Sequence, residues 1–199
     1  MANTADKTAG FRVAGTLSGN PTHQIQKCYS DTDKLYKGDI VVASTDGQAP
    51  PQGNGAYMAV NRANDGVGTL LPIGVVVGWE PNPDALGNLY HAASATYAVY
   101  VNTDPNLILE VAGDGAGTIP GVNVVGANFD YTVTAGTDTT GASNMQLDES
   151  SSVTTADTPF KCIGIVDSPN NEGGAAFQRF RVIFNMHAFK GSAGTVGLA

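Results

Sequence analysis

The residues able to do chemistry in this 199-residue chain are few. They are three histidines (His23, His91, His187), two cysteines (Cys28, Cys162) and a set of turn aspartates. A zinc site needs several His or Cys at short, regular spacing. No histidine here stands at ligand spacing from a second His or Cys, so no metal is expected. His187 falls on the polar side of the last strand and reads as a surface or interface residue. Neither cysteine belongs to a Cys-x-x-Cys pair. One disulfide is open to them, but two buried thiols is the preferred reading. Asp31, Asp33, Asp104, Asp114 and Asp138 flank turns, where aspartate usually bonds its own backbone. The Asp-x-Asn-x-Asp-Gly spacing of a calcium loop is absent. The segment Gly113-Asp114-Gly115-Ala116-Gly117-Thr118 has no Lys-Ser/Thr after it and no helix to open, so it is a loop and not a phosphate cradle. There is no Gly-x-Ser-x-Gly elbow. The expectation is a protein without catalytic residues, cofactor or metal, and not an enzyme.

The elements around these residues read as strands. The central one is Leu71-Pro72-Ile73-Gly74-Val75-Val76-Val77-Gly78-Trp79, a β-branched run closed by the turn Glu80-Pro81-Asn82. Such a run, bounded by turn signals, reads as a buried strand. Simple alternation puts Ile73, Val75, Val77 and Trp79, the one tryptophan, on a single core face. Gly74, Val76 and Gly78 fall on the other. Glycine within a strand forfeits packing, so another backbone is expected close against Gly74 or Gly78. The last strand alternates more clearly. Phe180, Val182, Phe184, Met186 and Ala188 fall inside; Arg179, Arg181, Asn185 and His187 fall outside, with Ile183 among them.

Further short strands are expected at 40–43, 57–60, 97–101, 107–111, 129–133 and 160–166. Glycine-, proline- and asparagine-rich loops separate them, and no segment keeps a helical period over three turns. The fold expected is all-β: an antiparallel sandwich or barrel with long Gly/Thr/Asn-rich loops. Residues 1–22 are polar, with Phe11, Val13 and Leu17 as the sizeable apolar side chains. They read as an extended N-terminal arm, with Phe11, Arg12, Val13 and Leu17 as candidate intersubunit or partner contacts. Residues 23–190 form the β domain and 191–199 a flexible tail. Ile73-Gly74-Val75-Val76 recurs as Ile163-Gly164-Ile165-Val166. Two similar halves, about 23–95 and 96–190, would account for it, and so would a coincidence of common strand words.

Composition narrows the partners. Charged residues are 14% of the chain, against about 25% in typical soluble domains. A surface so weakly charged suits a protein packed against neighbours. The formal net charge is −8 and the ten basic residues are spread along the sequence, which argues against nucleic acid. Residues 1–10 have no apolar stretch of a signal peptide, and no run approaches the ~20 apolar residues of a membrane span. Synthesis in the cytoplasm, without membrane insertion, is expected.

Four stretches carry a resemblance. They are Lys37-Gly38-Asp39-Ile40-Val41, the run Ile73 to Asp84, Tyr97-Ala98-Val99-Tyr100-Val101-Asn102-Thr103-Asp104-Pro105-Asn106, and Phe180 to His187. Together they resemble capsid decoration (cement) proteins of tailed bacteriophages, over roughly residues 30–190. The matching words are strand words, not catalytic signatures. The resemblance implies an all-β protein, often a homotrimer, on the outside of the virion at local threefold axes. It would bind the major capsid protein, clamp neighbouring subunits and do no chemistry. A receptor- or carbohydrate-binding β-module of a tail or fibre is the alternative. Such a module should expose an aromatic platform, and the one tryptophan is expected in the core.

Overall fold

The computed structural model describes residues 9–19, 24–30, 32–44, 57–64, 71–93, 95, 97–116, 124–171, 173–191, 193–195 and 197. His23, Asp31, Thr118, most of the loop expected over 44–55 and the second half of that over 61–68 lie outside them. The described chain is all-β: β1 (Arg12–Thr16), β2 (Ile25–Ser30), β3 (Ile40–Ala43), β4 (Met58–Arg62), β5 (Pro72–Trp79), β6 (Val99–Asn102), β7 (Leu107–Ala112), β8 (Asn128–Phe129), β9 (Tyr131–Thr132), β10 (Gln146–Leu147), β11 (Phe160–Ile165) and β12 (Arg179–Phe184), with one 3-10 turn at Glu149–Ser151.

Strands β2 to β6 close a five-stranded barrel in the order β2-β4-β3-β5-β6. All its pairs are antiparallel except β2 with β4. A second, open antiparallel sheet has the order β1-β7-β12-β11-β8. The sheet lies on the wall of the barrel. Ile40, Val42, Ala63 and Val75 from that wall share a core with Leu107, Leu109, Phe160, Phe180, Val182 and Phe184 from the sheet. The barrel interior holds a smaller cluster of Cys28, Leu35, Val41, Val60, Ile73, Val76, Val99 and Val101.

This arrangement explains why β5 is apolar without a break: both of its faces are buried. It also changes the alternation. The register slips at two places, where Val41 and Val42 of β3 face Gly74 and Pro72, and where Val101 and Tyr100 of β6 face Val76 and Gly78. Each slip inserts one extra residue, so Ile73, Val75, Val77 and Trp79 do not share a face as simple alternation had them. Ile73 and Val76 point into the barrel, with Trp79 half-buried at its end. Val75 and the half-buried Val77 belong to the core shared with the sheet. A glycine sits at each bulge, the usual tolerance for a doubled residue. Gly74 lies where a side chain would run into the Asn102 carbonyl, whereas a Cβ on Gly78 would meet nothing within 4 Å.

The two word-repeats sit in differently built sheets. Ile73–Val76 belongs to a closed barrel and Ile163–Ile165 to the open sheet. Phe180, Val182 and Phe184 are fully buried, with Arg179, Arg181 and Ile183 on the outer side. The alternation ends there. Asn185 and Met186 both donate to the Pro159 carbonyl, at 2.8 and 3.3 Å, and the chain turns. Asn185 and His187 are consequently buried while Ala188 is exposed, the reverse of what continued alternation implied.

The N-terminal stretch is built into the fold over its described part. Arg12–Thr16 pairs with β7 as an edge strand. Phe11 is buried, stacked on Phe160 at 4.7 Å between ring centroids and edge-on to Tyr131. A single large apolar residue ahead of five strand residues was enough to anchor it. At the other end, the expected flexible tail is tied down at 195 and 197. Asn128 Nδ2 donates to the carbonyls of Thr155 and Thr195, both at 2.7 Å, and Gly197 N donates to the Thr154 carbonyl at 2.7 Å.

Candidate functional site

The turn Tyr36-Lys37-Gly38-Asp39 is where the layers meet. Gly38 has φ +95°, a left-handed conformation that favours glycine. Its N–H donates to the Val76 carbonyl and its carbonyl accepts from Phe11 N, both at 2.9 Å. Lys37 N donates to the Gly141 carbonyl, the Lys37 carbonyl accepts from Ser143 N, and Val76 N donates to the Asp39 carbonyl at 2.8 Å. The N-terminal segment, β5 and the loop leading to β10 are thus held by one turn. Asp39 is fully buried beneath it. Its Oδ2 accepts from Tyr36 N at 2.9 Å, which is the local reason an aspartate ends this turn. Oδ1 has no aligned donor. Burial pushes the Asp39 carboxyl up to about 6, against the pull of the Ser143 hydroxyl, Tyr36 N–H and Arg62. An acid so placed serves the fold, since no described residue opens it to a substrate.

The two described histidines are structural in their contacts. His91 Nε2 bonds the Tyr97 carbonyl at 2.8 Å, and burial lowers its pKa. His187 Nδ1 accepts from Phe189 N at 3.1 Å, and burial lowers the imidazole to about 4. His187 therefore is not the surface residue that its place in the alternation implied. Cys28 lines the barrel interior and Cys162 the shared core. Both are free thiols, pushed by burial to about 12 and about 11. Among the described residues no group of three or more His, Cys, Asp or Glu is placed to hold a metal ion. No described helix is long and apolar enough to cross a membrane.

Of the candidate contact residues, Phe11 is core and Val13 packs against the same core. Arg12 and Leu17 are exposed, Leu17 by 52%. They lie on a surface that the linear sequence conceals. The outer face of the open sheet carries Arg12, Glu110 and Arg181 in one row across β1, β7 and β12. Ile108, Ile183 and Lys161 form the row on one side of it, and Arg179, opposite Ala112 at the start of β12, lies on the other. Arg181 Nε bonds Glu110 Oε1 at 3.1 Å. Four of the ten basic residues therefore stand on one face opposite one acid, although they are separated by up to 169 positions in the chain. The alternation of Arg179 and Arg181 was the one signal of it in the sequence.

A second surface is the barrel wall away from the sheet. Lys27 Nζ bonds Glu80 Oε1 at 2.8 Å and lies 5.8 Å from the Tyr100 ring centroid. The pairing with Glu80 raises Lys27, and Lys27 in turn holds Glu80 down. Tyr29 and Tyr57 meet edge-on at 5.6 Å, with Tyr57 39% exposed, and Ile25 at the start of β2 is 53% exposed. A third cluster clips two loops together: Tyr36 Oη donates to Asp138 Oδ1 at 2.5 Å, and Lys34 Nζ reaches Asp138 Oδ2 at 3.0 Å over the Tyr90 ring. The Tyr36 hydroxyl and then Lys34 hold Asp138 below the usual carboxylate range.

Asparagine side chains hold the described loops between residues 135 and 195. Asn171 accepts from Arg179 N at 2.7 Å and donates to the Val166 and Arg179 carbonyls. Asn185 donates to Ala156 and Thr158 and accepts from Thr195 N. Asn144 bonds the Ala135 carbonyl at 2.7 Å. A side-chain amide offers the same donor and acceptor as a peptide, so each stands in for a missing strand partner. Comparison with models of protein families, with curated proteins and with solved structures gives no match to this chain.

Proposed function

We propose that the protein is a non-enzymatic capsid decoration protein, which binds the outer surface of an assembled phage shell and clamps neighbouring major capsid subunits. The observation that carries this reading is the kind of surface the fold offers. It is weakly charged, and its described loops are fixed by side chain–backbone hydrogen bonds. A pre-ordered surface loses little conformational entropy on adhesion, so many weak contacts add up. The strand words shared with decoration proteins support it from the sequence side. The test adds purified protein to undecorated shells and follows occupancy and genome release on heating. A ligand of the assembled state alone stabilises that state by mass action. Saturable binding with a raised release temperature is the expected result; no binding to any shell refutes the reading.

The tyrosine surface of the barrel favours a second reading, a carbohydrate-binding module. Tyr57 and Tyr29 with the Lys27–Glu80 pair combine ring faces and charged hydrogen-bonding groups. Titration with a glycan panel separates the two, since binding lost in Tyr57→Ala would favour the module.

A further inference from the structure

We infer that the outer face of the open sheet is a self-association surface, and that its occupant is the 82–89 loop of a second copy. The inference concerns the free protein and does not depend on the shell. The face is basic and apolar together: half-exposed Ile108 and Ile183 share a row with Lys161, and Arg12 and Arg181 stand in the adjoining row on either side of Glu110, the single acid of these rows, with Arg179 beyond. The chain as a whole carries −8, so away from this face its acids outnumber its bases. Charge complementarity therefore points to another copy of the same protein.

The 82–89 segment, with Asp84 as its one acid, also supplies the apolar half of the match. After β5 the chain makes consecutive tight turns. Asn82 Oδ1 accepts from Asp84 N at 3.0 Å, its carbonyl accepts from Ala85 N at 3.2 Å, and Ala85 in turn accepts from Asn88 N at 3.1 Å. This rigid loop holds Leu86 79% exposed and Leu89 50% exposed, with Asp84 exposed beside them. Leu86 is the most exposed of the large apolar side chains described. Leucines flanked by an aspartate fit isoleucines flanked by arginines. The contact joins two different patches, so it is heterologous. Repeated by a rotation that closes, it gives a ring; the homotrimer implied by the sequence resemblance is such a ring of three.

The experiment measures oligomeric state by light scattering after size exclusion, for wild type, Arg181→Glu and Leu86→Lys. Both substitutions are at exposed positions, and the far-UV CD spectrum checks the fold. Arg12→Glu and Leu89→Lys replace either one that misfolds. Wild type is expected to be a discrete oligomer that dissociates in raised salt, and each variant a monomer. Mixing the two monomers should give a one-to-one dimer, because each keeps the patch the other has lost. A monomeric wild type, an oligomer that survives either variant, or a mixture that stays monomeric overturns the inference. Shell binding is scored separately, so its failure leaves this result standing.

Discussion

Asp39 and His187 set opposing pH dependences, and removing one should expose the other. Asp39 is raised by burial from 3.8 to about 6. Between those values the folded state holds a proton that the unfolded chain has released, so stability falls as pH rises. About two pKa units correspond to about 3 kcal/mol. His187 is lowered by burial from 6.5 to about 4. There the unfolded chain holds the extra proton, so stability rises with pH across 4 to 6.5, again by about 3 kcal/mol. The two nearly cancel from about 4 to 6. His91, also lowered by burial, tilts the wild type towards a shallow rise. In Asp39→Asn the amide oxygen still accepts from Tyr36 N while the ionisation is gone. Its unfolding free energy should drop by about 3 kcal/mol from pH 6.5 to 4, and His187→Gln should show the opposite slope. Urea midpoints at half-unit pH steps read this out. Parallel profiles for wild type and Asp39→Asn would refute the reasoning, because they would mean that burial does not make folded Asp39 keep its proton above pH 4.

Other substitutions test the packing. Phe11→Ala removes a ring stacked on Phe160 and should cost about 3–5 kcal/mol in chemical denaturation; a loss under about 1 kcal/mol would return residues 9–16 to the status of an arm. Gly74→Ala drives a methyl into the Asn102 carbonyl and should destabilise by about 1–3 kcal/mol or more, whereas Gly78→Ala, with open space, should be neutral or stabilising by about 0.5 kcal/mol. Equal thermal shifts for the two would show that neither bulge is placed as described.

What the sequence determined by itself was the class of fold and the positions of its strongest strands. Turn residues break the chain into short β-branched runs, and the alternation of Phe180, Val182 and Phe184 needs no context to be read. Such patterns are local, set by period-2 geometry and by the backbone demands of Gly, Pro and Asn. The division of β5 between two cores was not legible, because a run apolar at every position carries no phase. Only the bulges opposite β3 and β6 decide which valine points where. Phe11 and Leu147 stand in polar stretches of the sequence. Tertiary structure made them core, since one large side chain can be buried when a sheet made elsewhere in the chain offers the space. His187 was misplaced for a related reason: alternation holds only as long as the strand, and the strand ends at Phe184. The basic face of the open sheet is the clearest case. Arg12, Lys161, Arg179 and Arg181 come from three strands distant in sequence, and their common surface exists only once β1, β7, β12 and β11 lie side by side.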